Sequence, residues 1–177
     1  MIKFLSKWWL KERVSWSNKR HSNDIKDFPI DETNIYTPYN VISFASEYYL
    51  KFKYTRDNWD ELFDAMHSPA YCYKELKEGL LKDDCDGWHS ALLHLCEKSG
   101  ITAYLMTFVT KDIVGSHTVL VMKFNNKYWM INYNIMYSTD TFTRLYNRLD
   151  LAYHIVSYNF IKYNYDTGEY EIVEGGI

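Results

Sequence analysis

The chain has 177 residues, 47% of them hydrophobic and 24% charged, which is one domain's length with enough apolar content for a sizeable core and excludes a disordered chain. Its 20 basic and 23 acidic residues give a net charge of -3, so no domain-wide positive field exists and general nucleic-acid binding is not expected. No apolar run approaches the roughly 18–20 residues of a membrane span, and Lys3, Lys7, Lys11, Glu12 and Arg13 interrupt the opening apolar positions, so neither a transmembrane protein nor a secretory precursor is expected.

In chain order, Ile2, Phe4, Leu5, Trp8, Trp9 and Leu10 make one broad helical stripe, with Lys3, Lys7 and Lys11 on another face, so residues 1–14 read as a short amphipathic helix. Docking of its tryptophans on the domain behind it is the simpler expectation; lying on an anionic membrane surface is the alternative. Residues 15–38 are polar and carry Pro29 and Pro38, and read as a linker or surface loop. Helices are predicted over 39–49, over 57–66 (Trp59, Leu62, Phe63 and Met66 at helical spacing, ended by Pro69) and over 71–79.

From Lys82 the sequence runs KDDCDGWHSALLHLCEKSG. Asp83 or Asp84 can cap a helix whose apolar positions Trp88, Ala91, Leu92, Leu95 and Cys96 recur at three and four residues, with Gly100 as its stop. Beyond it, ITAYLMTFV, HTVLVMKF and KYWMINY are rich in β-branched and aromatic residues, and Asn125-Asn126 between the last two signals a hairpin. Further strands are predicted over 152–163 and 169–173, joined at Asp166-Thr167-Gly168. Helices first and an antiparallel sheet after give the class α+β.

Of the three cysteines, Cys72, Cys85 and Cys96, none forms a CxxC pair, and reduced thiols in a cytoplasmic compartment are expected. Only Cys85 falls in the first turn of a helix, where the positive dipole end and unpaired backbone N–H groups favour a thiolate and an oxyanion, while Asp83, Asp84 and Asp86 oppose it electrostatically. Cys72 and Cys96 read as core. His117 opens a strand, and counting outward from an Asn125-Asn126 turn puts Val119 opposite Asn132 and His117 opposite Asn134, so both amides share the histidine's face. Either could orient the imidazole and leave its other nitrogen for a thiol.

The run Asp84-Cys85-Asp86-Gly87-Trp88-His89-Ser90, followed by Ser99-Gly100-Ile101, Gly115-Ser116-His117 and Lys127-Tyr128-Trp129-Met130-Ile131-Asn132, resembles the nucleophile helix, histidine strand and third-residue strand of transglutaminase-like cysteine proteins. The resemblance covers about residues 57–133. It implies a papain-like core over 39–177, behind an N-terminal helix and linker over 1–38, and a cysteine peptidase or other amide hydrolase of the small bacterial and phage kind. Cys85 would be its nucleophile, His117 its general base and acid, and Asn132 the orienting residue. A catalytically silent relative that binds a partner, or a protein-crosslinking transglutaminase, are the alternatives. Two positions depart from the family pattern: Asn132 stands where Asp is usual, and the chain has no glutamine, which many relatives use as oxyanion donor. His67, ahead of Ser68-Pro69, occupies the comparable place, with the Trp59 indole N–H as a second candidate.

Trp88 and Asp84, beside the nucleophile, are further groove candidates, although aromatic residues at a helix-sheet seam more often belong to the core. His89, one turn after Cys85, is a rival base or half of a metal pair, but a zinc site needs two more ligands at recognisable spacing. No metal or other cofactor is therefore expected, and the partner expected is a protein or peptide substrate. His21 and His154 carry no signal.

Overall fold

The structure is a computed structural model that describes residues 2–32, 34–55, 65–111 and 116–173. Five helices and eight strands are found among them: α1 (Ile2–Arg20), α2 (Pro38–Tyr48), β1 (Lys53–Tyr54), α3 (Pro69–Lys77), β2 (Lys82–Asp83), α4 (Cys85–Lys98), β3 (Ala103–Thr110), β4 (Ser116–Phe124), β5 (Lys127–Asn132), β6 (Ile135–Thr139), α5 (Phe142–Tyr153), β7 (Ile155–Asn164) and β8 (Glu169–Val173). Six strands form one antiparallel sheet in the order β6-β5-β4-β3-β7-β8, while β1 and β2 make a separate two-residue parallel ladder. The α+β class is as expected.

The strand pleat divides β4 between two cores. Leu120 and Met122 pack with Trp88, Leu92 and Leu95 of α4, whereas Val119 and Val121 pack with Leu145 and Leu149 of α5. Helix α4 is therefore buried all round: every residue from Cys85 to Cys96 is buried, because the sheet covers one side and α2 and α3 the other. Gly100 ends it at φ +73°, and Asn125 and Asn126 turn the β4–β5 hairpin at φ 50° and 56° with Phe124 paired to Lys127, both as the sequence predicts.

Four differences from the sequence reading have physical causes. Helix α1 does not stop near Val14 but runs to Arg20, and tertiary bonds hold its last turns. Met66 N donates to Ser17 Oγ at 2.9 Å, and the Asn18 amide exchanges two bonds with the Tyr170 backbone at 2.8 and 2.9 Å, extending the ladder beyond β8. It docks through Leu10, Val14 and Arg13; of the two tryptophans expected to dock, Trp9 is half-buried and Trp8 is 49% exposed. The segment after α1 is irregular, as expected, but pinned, with His94 Nε2 donating to Phe28 O at 2.7 Å. Finally, β5 ends in a tight turn at Tyr133-Asn134, where Tyr133 has φ 54°, so β6 and α5 occupy a stretch for which periodicity gave no element. Of the helix predicted over 57–66, residues 57–64 lie outside the described residues, and Ala65 and Met66 are not helical. Among the described residues, no helix is long and apolar enough to cross a membrane.

Candidate functional site

Cys85 is the first residue of α4. The Asp84 side chain caps the helix by accepting from Asp86 N at 3.0 Å. The first turn is anchored from the opposite end of the chain: Arg13 of α1 pairs with Asp86 at 3.0 Å, both side chains only 2% exposed. Across from it, β4 brings Thr118 N to 3.3 Å from Cys85 Sγ, which accepts its hydrogen bond.

The residue before Thr118 is His117, and its Nε2–H donates to Asn132 Oδ1 at 2.9 Å. Asn132 Nδ2 in turn donates to the Tyr153 hydroxyl at 2.8 Å, and the amide presents its oxygen to the imidazole. This chain of bonds sets the tautomer: the His117 proton is on Nε2, and Nδ1 keeps its lone pair. Tyr153 also stacks on the His117 ring, centroids 5.0 Å apart and planes 23° from parallel, while Phe108 meets it edge-on. Of the two amides left open by the sequence, Asn132 is the partner. Asn134 does not lie opposite His117, because the chain has already turned toward β6.

Trp88, a groove candidate in the sequence, and His89, a rival base there, lock this arrangement from α4. Trp88 Nε1 donates to Tyr133 O at 3.2 Å, and His89 Nε2 accepts from Tyr133 N at 3.0 Å. Both backbone groups of the turn residue after Asn132 are thus held by consecutive side chains on α4. His89 Nδ1–H donates to the Cys85 carbonyl, so its two nitrogens tie the Cys85 turn to the end of β5. The i,i+4 spacing of Cys85 and His89 is the signal that could have found this, read as a backbone tie rather than a rival base. Trp88 is fully buried and belongs to the core rather than to a groove.

The electrostatics favour neutral partners. Burial, with Asp84 and Asp86 adding to it, pushes the Cys85 thiol well above its ordinary value, against the opposing bond from Thr118 N. Burial also lowers the His117 pKa, against the bond to Asn132. His89 is pushed down to about 3, by burial first and by His117 second.

The structure thus brings Cys85, His117 and Asn132 to one corner, with the thiol bonded to Thr118 N and the imidazole to Asn132. His67 Nδ1 donates to Asp24 at 2.9 Å, and its ring stacks on Tyr71. Trp59 lies outside the described residues. Cys72 and Cys96 are fully buried, their thiols raised by desolvation, in keeping with core roles. Compared with known proteins, the chain matches no family model, no curated protein and no solved structure.

Proposed function

We propose that the protein is a cysteine-dependent acyl-transfer enzyme that hydrolyses a peptide, isopeptide or related amide bond, on a core of the papain-like, transglutaminase-like kind. The observation that carries this reading is the tautomer of His117: with Nε2–H committed to Asn132, the nitrogen left over is a base of the kind a thiol nucleophile needs, one strand position from the residue that touches the Cys85 sulfur. Because the thiol is raised and the imidazole lowered, the resting pair is thiol and neutral imidazole, and the proton moves to Nδ1 as sulfur attacks the carbonyl. The thioester forms as the C–N bond breaks, and the imidazolium returns its proton to the leaving amine. Water, deprotonated by the same nitrogen, then releases the acid. Attack by an amine in place of water would give a cross-link.

A second reading has its own observation. Cys85 is only 6% exposed, and its sulfur accepts from Thr118 N rather than bonding to His117, which suits a protein that keeps the architecture for binding and performs no catalysis. One experiment separates the two: the rate at which a small acylating or alkylating reagent labels each cysteine of the native protein at neutral pH, for the wild type and His117→Ala. The enzyme reading expects Cys85 to react first and to slow by about a hundredfold without the base. A Cys85 rate unchanged by His117→Ala overturns it in favour of the silent fold.

A further inference from the structure

A second group of side chains converges away from Cys85, drawn from three places in the chain. His21 follows the last turn of α1, Asp24 lies in the loop beyond it, and His67 stands just ahead of the Ser68 cap of α3. His67 Nδ1 is 2.9 Å from Asp24 Oδ2, His21 Nδ1 is 3.6 Å from Asp24 Oδ1, and the two imidazole rings lie against each other, centroids 3.7 Å apart and planes tilted by 47°. One nitrogen from each histidine and one carboxylate oxygen all lie within 4.8 Å of one another.

These separations have a chemical meaning. Ligands held at about 2.0–2.1 Å around a tetrahedral zinc ion sit about 3.3 Å apart; His67 Nδ1 stands 2.9 Å from one oxygen of the Asp24 carboxylate and His21 Nδ1 3.6 Å from the other, so both nitrogens reach that carboxylate at about a ligand-to-ligand separation. A single histidine would satisfy one carboxylate edge; the second imidazole, packed against the first, makes a three-point donor set with imidazole and carboxylate chemistry. Asp24 accepts from His67 Nδ1 at 2.9 Å and from Ser68 N at 3.0 Å, so both of its neighbours present donors to a carboxylate. The donors are also supported from outside. Ser68 N fixes the carboxylate at 3.0 Å, and Tyr71 stacks on His67 at 4.5 Å. The His67 side chain remains 32% exposed, which leaves a side open for a water ligand.

We propose that His21, Asp24 and His67 form a binding site for a divalent transition metal, zinc foremost, with two nitrogen ligands, one carboxylate and a solvent molecule in the fourth position. Two imidazoles select zinc, cobalt or nickel over magnesium and calcium, whose ligands are oxygens. The ion joins the end of α1 to the start of α3, elements far apart in sequence. The site is separate from the Cys85 chemistry and stands or falls independently of it.

The test is titration of the chelator-treated full chain with Co²⁺, read by visible absorption. The expected result is one tetrahedral Co²⁺ per chain, displaced by Zn²⁺, without the sulfur-to-cobalt band of a thiolate site. His21→Asn and His67→Gln, which keep hydrogen-bonding capacity, should each weaken binding by about tenfold or more, while Cys85→Ser leaves it unchanged. Far-UV circular dichroism identifies folded variants, and Asp24→Asn serves if either histidine variant is not folded. A thermal midpoint raised by Zn²⁺ in the wild type and not in His67→Gln gives a second readout. Absence of uptake at millimolar Co²⁺, uptake indifferent to these substitutions, or a thiolate band would each overturn the proposal.

Discussion

The corner around Cys85 and the corner around Asp24 are built from the same residue types, yet their polar atoms are satisfied in different ways. At the first, His89 gives both nitrogens to backbone groups, Asn132 gives both amide atoms to side chains, and Arg13 meets Asp86 in near-complete burial. At the second, two imidazoles share one carboxylate at the surface of the fold, each with part of its ring in solvent. The difference teaches that a histidine's role follows from what its second nitrogen meets. Against a backbone amide in the core it is a structural tie; against a half-open carboxylate it can exchange a proton partner for a metal.

The contrast is broken most severely by removing one partner of the buried pair. Arg13→Ala leaves Asp86 charged and buried at the foot of α4, and should cost about 3–5 kcal/mol in urea unfolding, whereas Asp24→Asn at the open corner should cost about 1 kcal/mol. Equal losses would erase the distinction. His89→Leu comes next: it strands the Tyr133 N–H in the core, at about 1–3 kcal/mol near neutral pH. It also removes a titration. With the folded His89 pKa pushed down to about 3 from an unfolded value of 6.5, the unfolded chain binds a proton that the native state refuses, so wild-type stability falls as pH drops from 6.5 toward 3. The Leu variant should show a shallower fall over that window, with the remainder set by His94 and His117, which burial also lowers, and in its most acid part by carboxylates held low, Asp24, Asp27, Asp31 and Glu171. An identical slope would mean that His89 titrates normally and is no tie.

What could be read from the sequence were features written in local chemistry. Cys85 at a helix start, Gly100 at its end and the Asn125-Asn126 turn each depend on a few consecutive residues, and from that turn the register of β4 on β5 follows by counting. Periodicity failed where tertiary contacts replaced it. The last turns of α1, rich in serine and asparagine, are helical because Ser17 and Asn18 find partners at Met66 and Tyr170. Asn134 missed its predicted place because Tyr133 accepts a positive φ only with Trp88 and His89 clamping its backbone. His67 was assigned by analogy of position, and its actual partners, His21 and Asp24, lie more than 40 residues away, a separation no spacing rule links. The family resemblance likewise rested on motif order along the chain, while the site's two ties through His89 and Trp88 are visible only in three dimensions.

The smallest change sharpens the comparison most finely, because it touches the Cys85 corner without disturbing the packing. Tyr153→Phe keeps the ring that stacks on His117 but removes the hydroxyl oxygen that accepts from Asn132 Nδ2. Stability should change by less than about 1 kcal/mol, the worth of one partly buried hydrogen bond. The chemical effect is separate. Without that acceptor the Asn132 amide is free to rotate, and with nitrogen rather than oxygen toward His117 the imidazole must carry its proton on Nδ1, the position that has to accept from sulfur. The labelling rate of Cys85 should then fall by about threefold to tenfold, a barrier change of about 1 kcal/mol, with Asn132→Asp restoring an acceptor on both sides and recovering most of the loss in the Phe background. If Tyr153→Phe leaves the rate unchanged, the amide is held by packing alone, and the Cys85 corner is as indifferent to its histidine tautomer as a purely structural site would be.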